Sequence, residues 1–208
     1  MNHELKSPTV LLVNGEYPTH PAPLEILKSA NTIICTDGSA NLLEQYNQKS
    51  QVIIGDMDSI NIDKNSFEGL LIQRPEQNTT DIEKALIWSI ENDINDLTIL
   101  GATGLREDHS LGNYFIFCEY SIKLNLTMVT NHFTISSHKG LKKFDSKKGQ
   151  IVSIFSTNQN TLVSSTALKH PLHNYILNPS SRAICNESMD DFFSLETDKQ
   201  IIVFRGHL

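Results

Sequence analysis

The chain has 208 residues, 39% of them hydrophobic and 20% charged, with a formal net charge of -7. That length buries one good core or divides into two modest domains, and the acidic balance argues against a non-specific nucleic-acid surface, which needs clustered Lys and Arg. Cys35, Cys118 and Cys185 are odd in number and far apart, so no disulfide framework is expected and a reducing cytoplasm fits, while the short first apolar run at 10–13 suits neither a signal-peptide core nor a membrane span.

The predicted elements alternate. Residues 9–13 read as a buried strand, 23–30 as a short helix and 32–36 as a second strand. Gly38 opens a helix over 39–48 with Ala40, Leu42, Leu43 and Tyr46 on one face, and 51–55 and 70–73 read as the third and fourth strands. Within 80–92, Ile82, Ala85, Leu86 and Ile90 recur at helical spacing; 97–100 is a fifth strand. A helix over 108–120 carries Leu111, Tyr114, Phe115 and Cys118 on one side, and 126–130 is a sixth strand. Strands and helices in this alternation make a mostly parallel, doubly wound α/β sheet with helices on both faces.

The pattern then changes. Short β-like runs at 151–155, 161–164, 175–177, 182–185 and 200–204 are separated by turn residues such as Asn174, Asn178, Pro179 and Ser180, with no helical period between them. The Lys-rich stretch 139–148 reads as a solvated hairpin rather than a binding patch. The expected organisation is an α/β domain over 1–131 and a small all-β, sandwich-like domain over 132–208.

Four polar clusters fall at the ends of strand-like runs: Cys35-Thr36-Asp37-Gly38, Gly55-Asp56-Met57-Asp58-Ser59, Asn78-Thr79-Thr80-Asp81, and the segment from Gly101 to His109. An open α/β sheet binds ligands outside the carboxyl ends of its strands, so carboxylates delivered there can converge on a metal-phosphate site. Asp56 and Asp58, two apart in an extended segment, would face one hard cation, although Asp, Gly and Ser also favour a plain solvated turn. Thr80 and Glu83 form a capping-box pair, which makes 79–84 a well-started helix; Asp81 at its N-terminus can still reach a metal, and Lys84 phosphate oxygens. Gly101 and Gly104 let backbone amides approach an anion, with Arg106 to neutralise phosphate charge. No Gly-Lys-Ser/Thr element is present, which excludes a Walker P-loop, and there is no complete dinucleotide-type glycine fingerprint. His170, His173 and Cys185 are too few for an expected zinc site.

Taken in order, Asn14-Gly15, Asp37-Gly38-Ser39-Ala40-Asn41, Gly55-Asp56-Met57-Asp58-Ser59, Gln77-Asn78-Thr79-Thr80-Asp81 with Lys84-Ala85-Leu86, and Gly101 to His109 with Asn113 resemble the motifs of the thiamine pyrophosphokinase family. Leu168-Lys169-His170-Pro171-Leu172 and Cys185-Asn186-Glu187 resemble its tail motifs more loosely. The resemblance implies transfer of the pyrophosphoryl group of ATP to the hydroxyethyl oxygen of thiamine, giving thiamine diphosphate and AMP. ATP is then the co-substrate, Mg²⁺ the cofactor, and the working unit a homodimer with the thiamine pocket at the subunit interface. By the same resemblance Asp56, Asp58 and Asp81 hold Mg²⁺ or act beside it, and Asp108 is a further catalytic group near the substrate. Asn14, Asp37, Gln77, Thr80, Lys84, Arg106 and Asn113 surround the nucleotide and its phosphates. His170, Cys185 and Asn186 join Asp108 on the thiamine side.

The chain departs from the family pattern in its tail: His170 stands where Trp or Tyr is usual, Ala167 for a Gly and Cys185 for a Ser. A cationic thiazolium suits an aromatic face, so the first departure bears on thiamine binding. Two other functions remain open. A nucleotide-binding regulatory module would bind ATP without releasing AMP, and intact Asp56, Asp58 and Asp81 argue against it. A metal-dependent phosphohydrolase would release phosphate without thiamine. Its commonest form carries Asp-x-Asp after the first strand, whereas here the pair follows the third. No membrane or nucleic-acid partner is implied.

Overall fold

Segments that are apolar at consecutive positions bury both faces, as a helix-covered parallel sheet requires. The computed structural model describes residues 5–63 and 66–208, and the chain divides into two compact units, Met1–Asn131 and His132–Leu208. The first unit runs β1 (Thr9–Leu12), α1 (Pro21–Ser29), β2 (Thr32–Thr36), α2 (Asp37–Gln45), β3 (Val52–Gly55), β4 (Leu70–Gln73), α3 (Asp81–Glu91), β5 (Asp96–Leu100), α4 (Glu107–Tyr120) and β6 (Asn125–Val129). Every residue of β1, β2 and β3 is buried, whereas β4 is only partly covered, as suits an edge. Leu12, Leu27, Cys35, Leu43, Ile53 and Leu100 belong to one core cluster that joins sheet and helices.

The strands lie in the order β6-β5-β1-β2-β3-β4, each neighbour parallel. The chain lays β1 to β4 outward in one direction and then returns to set β5 on the other side of β1. A reversal of this kind opens a crevice at the carboxyl ends of the two central strands, where open α/β sheets bind their ligands. Here that crevice is edged by the loops after β1 and β5. The loops are tied to each other: Gly15 N–H donates to Gly101 O at 2.7 Å and Glu16 N–H to Thr103 O at 2.8 Å. A Cβ on Gly15 would lie 2.3 Å from Gly101 O, so only glycine permits the approach.

Two expectations for this unit need correction. Helix α1 starts at Pro21 rather than residue 23, because a proline at the first helical position lacks only an N–H that would have no partner there, and His20 Nδ1 caps Ala22 N–H at 3.2 Å. Thr80 does stand at the N-cap of α3, but its side chain makes no capping bond. Glu83 instead accepts from the Tyr120 hydroxyl at 3.1 Å, so the expected capping box is not formed.

The second unit consists of β7 (Phe133–Asp145), β8 (Ile151–Ser156), β9 (Thr161–Thr166), β10 (Tyr175–Leu177), β11 (Asn186–Glu187) and β12 (Phe192–Gly206). Strand β12 organises it. One edge pairs antiparallel with β7 along its length, with a register shift between Thr197 and Ile201. The other edge takes β9 against Ser194–Thr197 and β8 against Ile201–Arg205, so the irregularity marks where β12 passes from one partner to the other. Strand β10 extends β9, and β11 extends β8. Phe144, Val152, Ile154, Phe193, Leu195 and Val203 form the core, with the rings of Phe144 and Phe193 stacked at 5.1 Å.

Here too the local pattern misled. The Lys-rich stretch is not a hairpin: Lys139 to Lys143 lie within β7, paired to β12 rather than to the strand that follows. Long-range pairing outweighs local charge because lysine stems lie along apolar surface, as Lys143 does over the Phe192 ring at 3.7 Å. Residues 182–185 are not a strand either. Cys185 has a φ of 56°, a left-handed conformation that interrupts pairing, and only the following Asn186–Glu187 pairs with β8.

Candidate functional site

Strand β2 passes into α2 without a linker, Thr36 being both the last strand residue and the helix N-cap. Asp37 is therefore fixed in the first helical turn at the carboxyl end of the sheet. It is 3% exposed; its Oδ1 accepts from Gly38 N–H at 2.7 Å, and its Oδ2 is buried with no hydrogen-bond partner. Burial, followed by the charge of Asp81, pushes its carboxyl above the usual range, against the amides of Gly38 and Ser59, which pull it down.

The Asp56-Met57-Asp58 segment is not extended as expected. Strand β3 stops at Gly55, and Met57 is left-handed at φ 68°, with its side chain buried. The tight bend still brings the two carboxylates to one place. Asp37, Asp56 and Asp58 each present an oxygen within 4.8 Å of the others, and Gly55 makes room, since a Cβ there would lie 2.8 Å from Asp37 Cγ. Asp56 is held below the usual carboxylate range first by Gln77, whose Nε2 donates to Oδ2 at 3.2 Å, and then by the Asp58 amide at 3.2 Å. Asp81 is not a member of this trio. Its Oδ1 pairs with Lys84 Nζ at 3.0 Å, one turn along α3, and Lys84 is 4% exposed.

A cavity of about 630 Å³ opens beside Asp56. Its walls include Asn14 after β1, Gln77, Thr80, Asp81 and Lys84 at the start of α3, and Arg106, Asp108 and Asn113 at the start of α4. Asn113 is buried, and its Nδ2 donates to Ala102 O at 2.7 Å, which locks the β5–α4 turn onto the helix. Arg106 forks onto Asp108, with Nε to Oδ1 at 3.0 Å and Nη2 to Oδ2 at 2.6 Å. That pairing, with the His109 amide, takes the Asp108 carboxyl down to about 2. Thr79 Oγ1 is buried in the same wall without a partner.

This donor set suits a hard dication: the oxygens are all carboxylate, and the innermost has a buried oxygen with an unused lone pair. Lys84 and Arg106 add positive charge suited to phosphate. The remaining predicted residues, His170, Cys185 and Asn186, lie in the second unit. His170 and Cys185 are exposed; Asn186 is buried, and its side chain clamps the His170 backbone, accepting from His170 N–H at 3.0 Å and donating to His170 O at 2.7 Å. Sequence reasoning gave no individual role to Asn41, Ser59 or Thr79, although the spacing of Asn41 one helical turn after Asp37 carried a signal.

Residues 24–130 match the family described as thiamin pyrophosphokinase, catalytic domain, which takes in more than half of the chain. The thiamine pyrophosphokinase of Bacillus subtilis is 29% identical over 161 residues, covering 72% of this chain and 74% of the relative. In fold, the solved structure of the B. subtilis thiamine pyrophosphokinase matches with a TM-score of 0.81 at 22% identity, covering 95% of this chain and 98% of that chain. The thiamin pyrophosphokinase of Candida albicans matches with 0.80 at 18% identity, covering 95% and 88%. Such a level of structural identity speaks to the shared mixed α/β fold alone, whereas the catalytic-domain match is made on the sequence that builds the acidic cluster and the cavity wall. The chain belongs to the thiamin pyrophosphokinase family.

Proposed function

We propose that the protein transfers the pyrophosphoryl group of ATP to the hydroxyethyl oxygen of thiamine, with Asp37, Asp56 and Asp58 holding Mg²⁺. The observation that carries this reading is the buried, unpartnered oxygen of Asp37 in a carboxylate trio whose Asp56 lines a cavity that also presents Lys84 and Arg106. The thiamine hydroxyl oxygen bonds to the β-phosphorus, the bond from that phosphorus to the α,β-bridging oxygen breaks, and AMP departs with the electron pair. The hydroxyl proton passes to a carboxylate of the set. Phosphoryl-type transfer asks chiefly for positioning and charge stabilisation, and a bound Mg²⁺ would supply charge neutralisation at the phosphate oxygens.

The residues divide the rest of the work. Lys84, buried and fixed by Asp81, offers a preorganised ammonium to phosphate oxygens. Arg106 must leave Asp108 or share it, and since both are well exposed the exchange costs little. Asp108 then becomes free to accept from the substrate. Asn14, Gln77, Thr80 and Asn113 shape the nucleotide side.

In this reading the first unit is doubly wound and the second a sandwich that supplies the thiamine side of a composite site in a cytoplasmic homodimer, through His170, Cys185 and the loop held by Asn186. No helix among the described residues is long and apolar enough to cross a membrane. Chromatography after incubation with ATP, thiamine and Mg²⁺ tests the proposal. AMP and thiamine diphosphate should appear in equal amounts and vanish with a chelator. ADP with thiamine monophosphate, or phosphate released without thiamine, would contradict it.

A further inference from the structure

Ser59 ties the loop to both of its neighbours. Its hydroxyl donates to Asp58 Oδ1 at 2.8 Å and its carbonyl accepts from Asn41 Nδ2 at 2.7 Å, while its amide lies close enough to the Asp37 carboxyl to pull it down. The other end of the Asn41 amide accepts from Asn61 N–H at 2.8 Å. Asn41 lies one turn after Asp37 on α2, so the same rigid face carries a carboxylate of the cluster and the clamp on the loop that brings the others.

We propose that Asn41 and Ser59 are positioning residues that set the spacing of Asp37 and Asp58, and with it the affinity of the cluster for a divalent cation. The inference rests on the reading of Asp37, Asp56 and Asp58 as a metal seat. Residues 56–61 form no regular element, and three like charges gathered there repel one another. Something must hold the loop in. Asn41 fastens it at two backbone groups on either side of residue 60, which fixes the Ser59 peptide. Ser59 then bridges helix and loop, its carbonyl held by Asn41 on the helix and its hydroxyl donating to Asp58. That donation occupies one lone pair of the Asp58 carboxylate, orients it and leaves other lone pairs for a cation. Neither residue needs to touch the metal.

Mn²⁺ titrated alone into the full chain and followed by electron paramagnetic resonance tests this without any turnover. Asn41→Ala and Ser59→Ala should each weaken Mn²⁺ binding by about tenfold or more, while Ser59→Thr, which keeps the hydroxyl, should stay within about twofold of wild type. In turnover, the loss should appear as a higher Mn²⁺ requirement, with the rate at saturating Mn²⁺ recovering to within about threefold. Ser59 is exposed, so loss of its hydroxyl leaves the fold intact even where Asn41→Ala disturbs it. Unchanged Mn²⁺ affinity in both alanine variants, with or without a lowered melting temperature, overturns the inference and leaves the metal seat standing. A wild-type protein that binds no Mn²⁺ overturns both.

Discussion

The ends of β2 and β3 and the Asn186–Ser188 segment of the second unit both carry family-like motifs, yet they spend their polar side chains in opposite ways. At the sheet ends, a buried group is left with an unused valence at Asp37 Oδ2, and another at Thr79 Oγ1 in the wall of the cavity beside Asp56. In the second unit Asn186 is 6% exposed and makes three backbone hydrogen bonds, two to His170 and one from Glu187 N–H at 2.9 Å. Glu187 pairs with Lys169 at 3.0 Å, and Ser188 shares its hydroxyl with Ser146. A buried polar atom without a partner costs free energy and persists where a ligand supplies the bond, whereas one fully bonded inside the protein builds a loop. The first region therefore reads as chemistry and the second as the scaffold of a surface.

Substitutions can break this comparison from either side. Asp58→Asn keeps the side-chain shape and removes a hard anionic ligand, so turnover should fall by about a hundredfold or more while the melting temperature holds or rises. A variant near wild-type rate at saturating Mg²⁺ would take Asp58 out of the metal seat. Asn186→Ala should do the reverse. Losing three hydrogen bonds from a buried side chain should cost about 2–4 kcal/mol of stability, read from denaturant midpoints, with Mn²⁺ affinity unchanged. A fully stable Asn186→Ala protein would return that residue to the list of ligand contacts.

The smallest effect is a difference in sign with pH. Burial and the neighbouring Asp81 hold the Asp37 carboxyl up, so its contribution is fully present below the unfolded value of about 4 and is lost as pH rises through the folded one. His138, in the second unit, is held below 6.5 chiefly by burial, so its contribution is present above that value and is lost as pH falls. In chelator, Asp37→Asn should therefore gain on wild type as pH rises from about 4 to 7, and a His138→Gln protein should lose less than wild type as pH falls below about 6.5. Melting temperatures across that range check both. Parallel curves for either variant and wild type would remove that group from the account.

The first unit was legible because its information is local. Helical spacing in 80–92 and unbroken apolar runs such as 52–54 announce α3 and β3 with no knowledge of their neighbours. The second unit is built from long-range pairs, and the first half of β12 and most of β7 carry no local sign of them. Lys142 and Lys143 face the sequence as a charge run and the structure as strand residues over aromatic rings. At the site, the order of the motifs was readable, but their geometry was not. The left-handed Met57 is a conformation few non-glycine residues adopt, and no spacing rule anticipates it. Asn41 and Ser59 were likewise invisible as a pair, since they meet only when α2 and the loop after β3 are in place.

Crystals soaked in Mn²⁺ and measured at the manganese absorption edge test the central claim most directly. The account predicts an anomalous peak bounded by carboxylate oxygens of Asp37, Asp56 and Asp58, close to the buried Asp37 Oδ2. A peak seated instead on Asp81 or Asp108, with the trio empty, would contradict it.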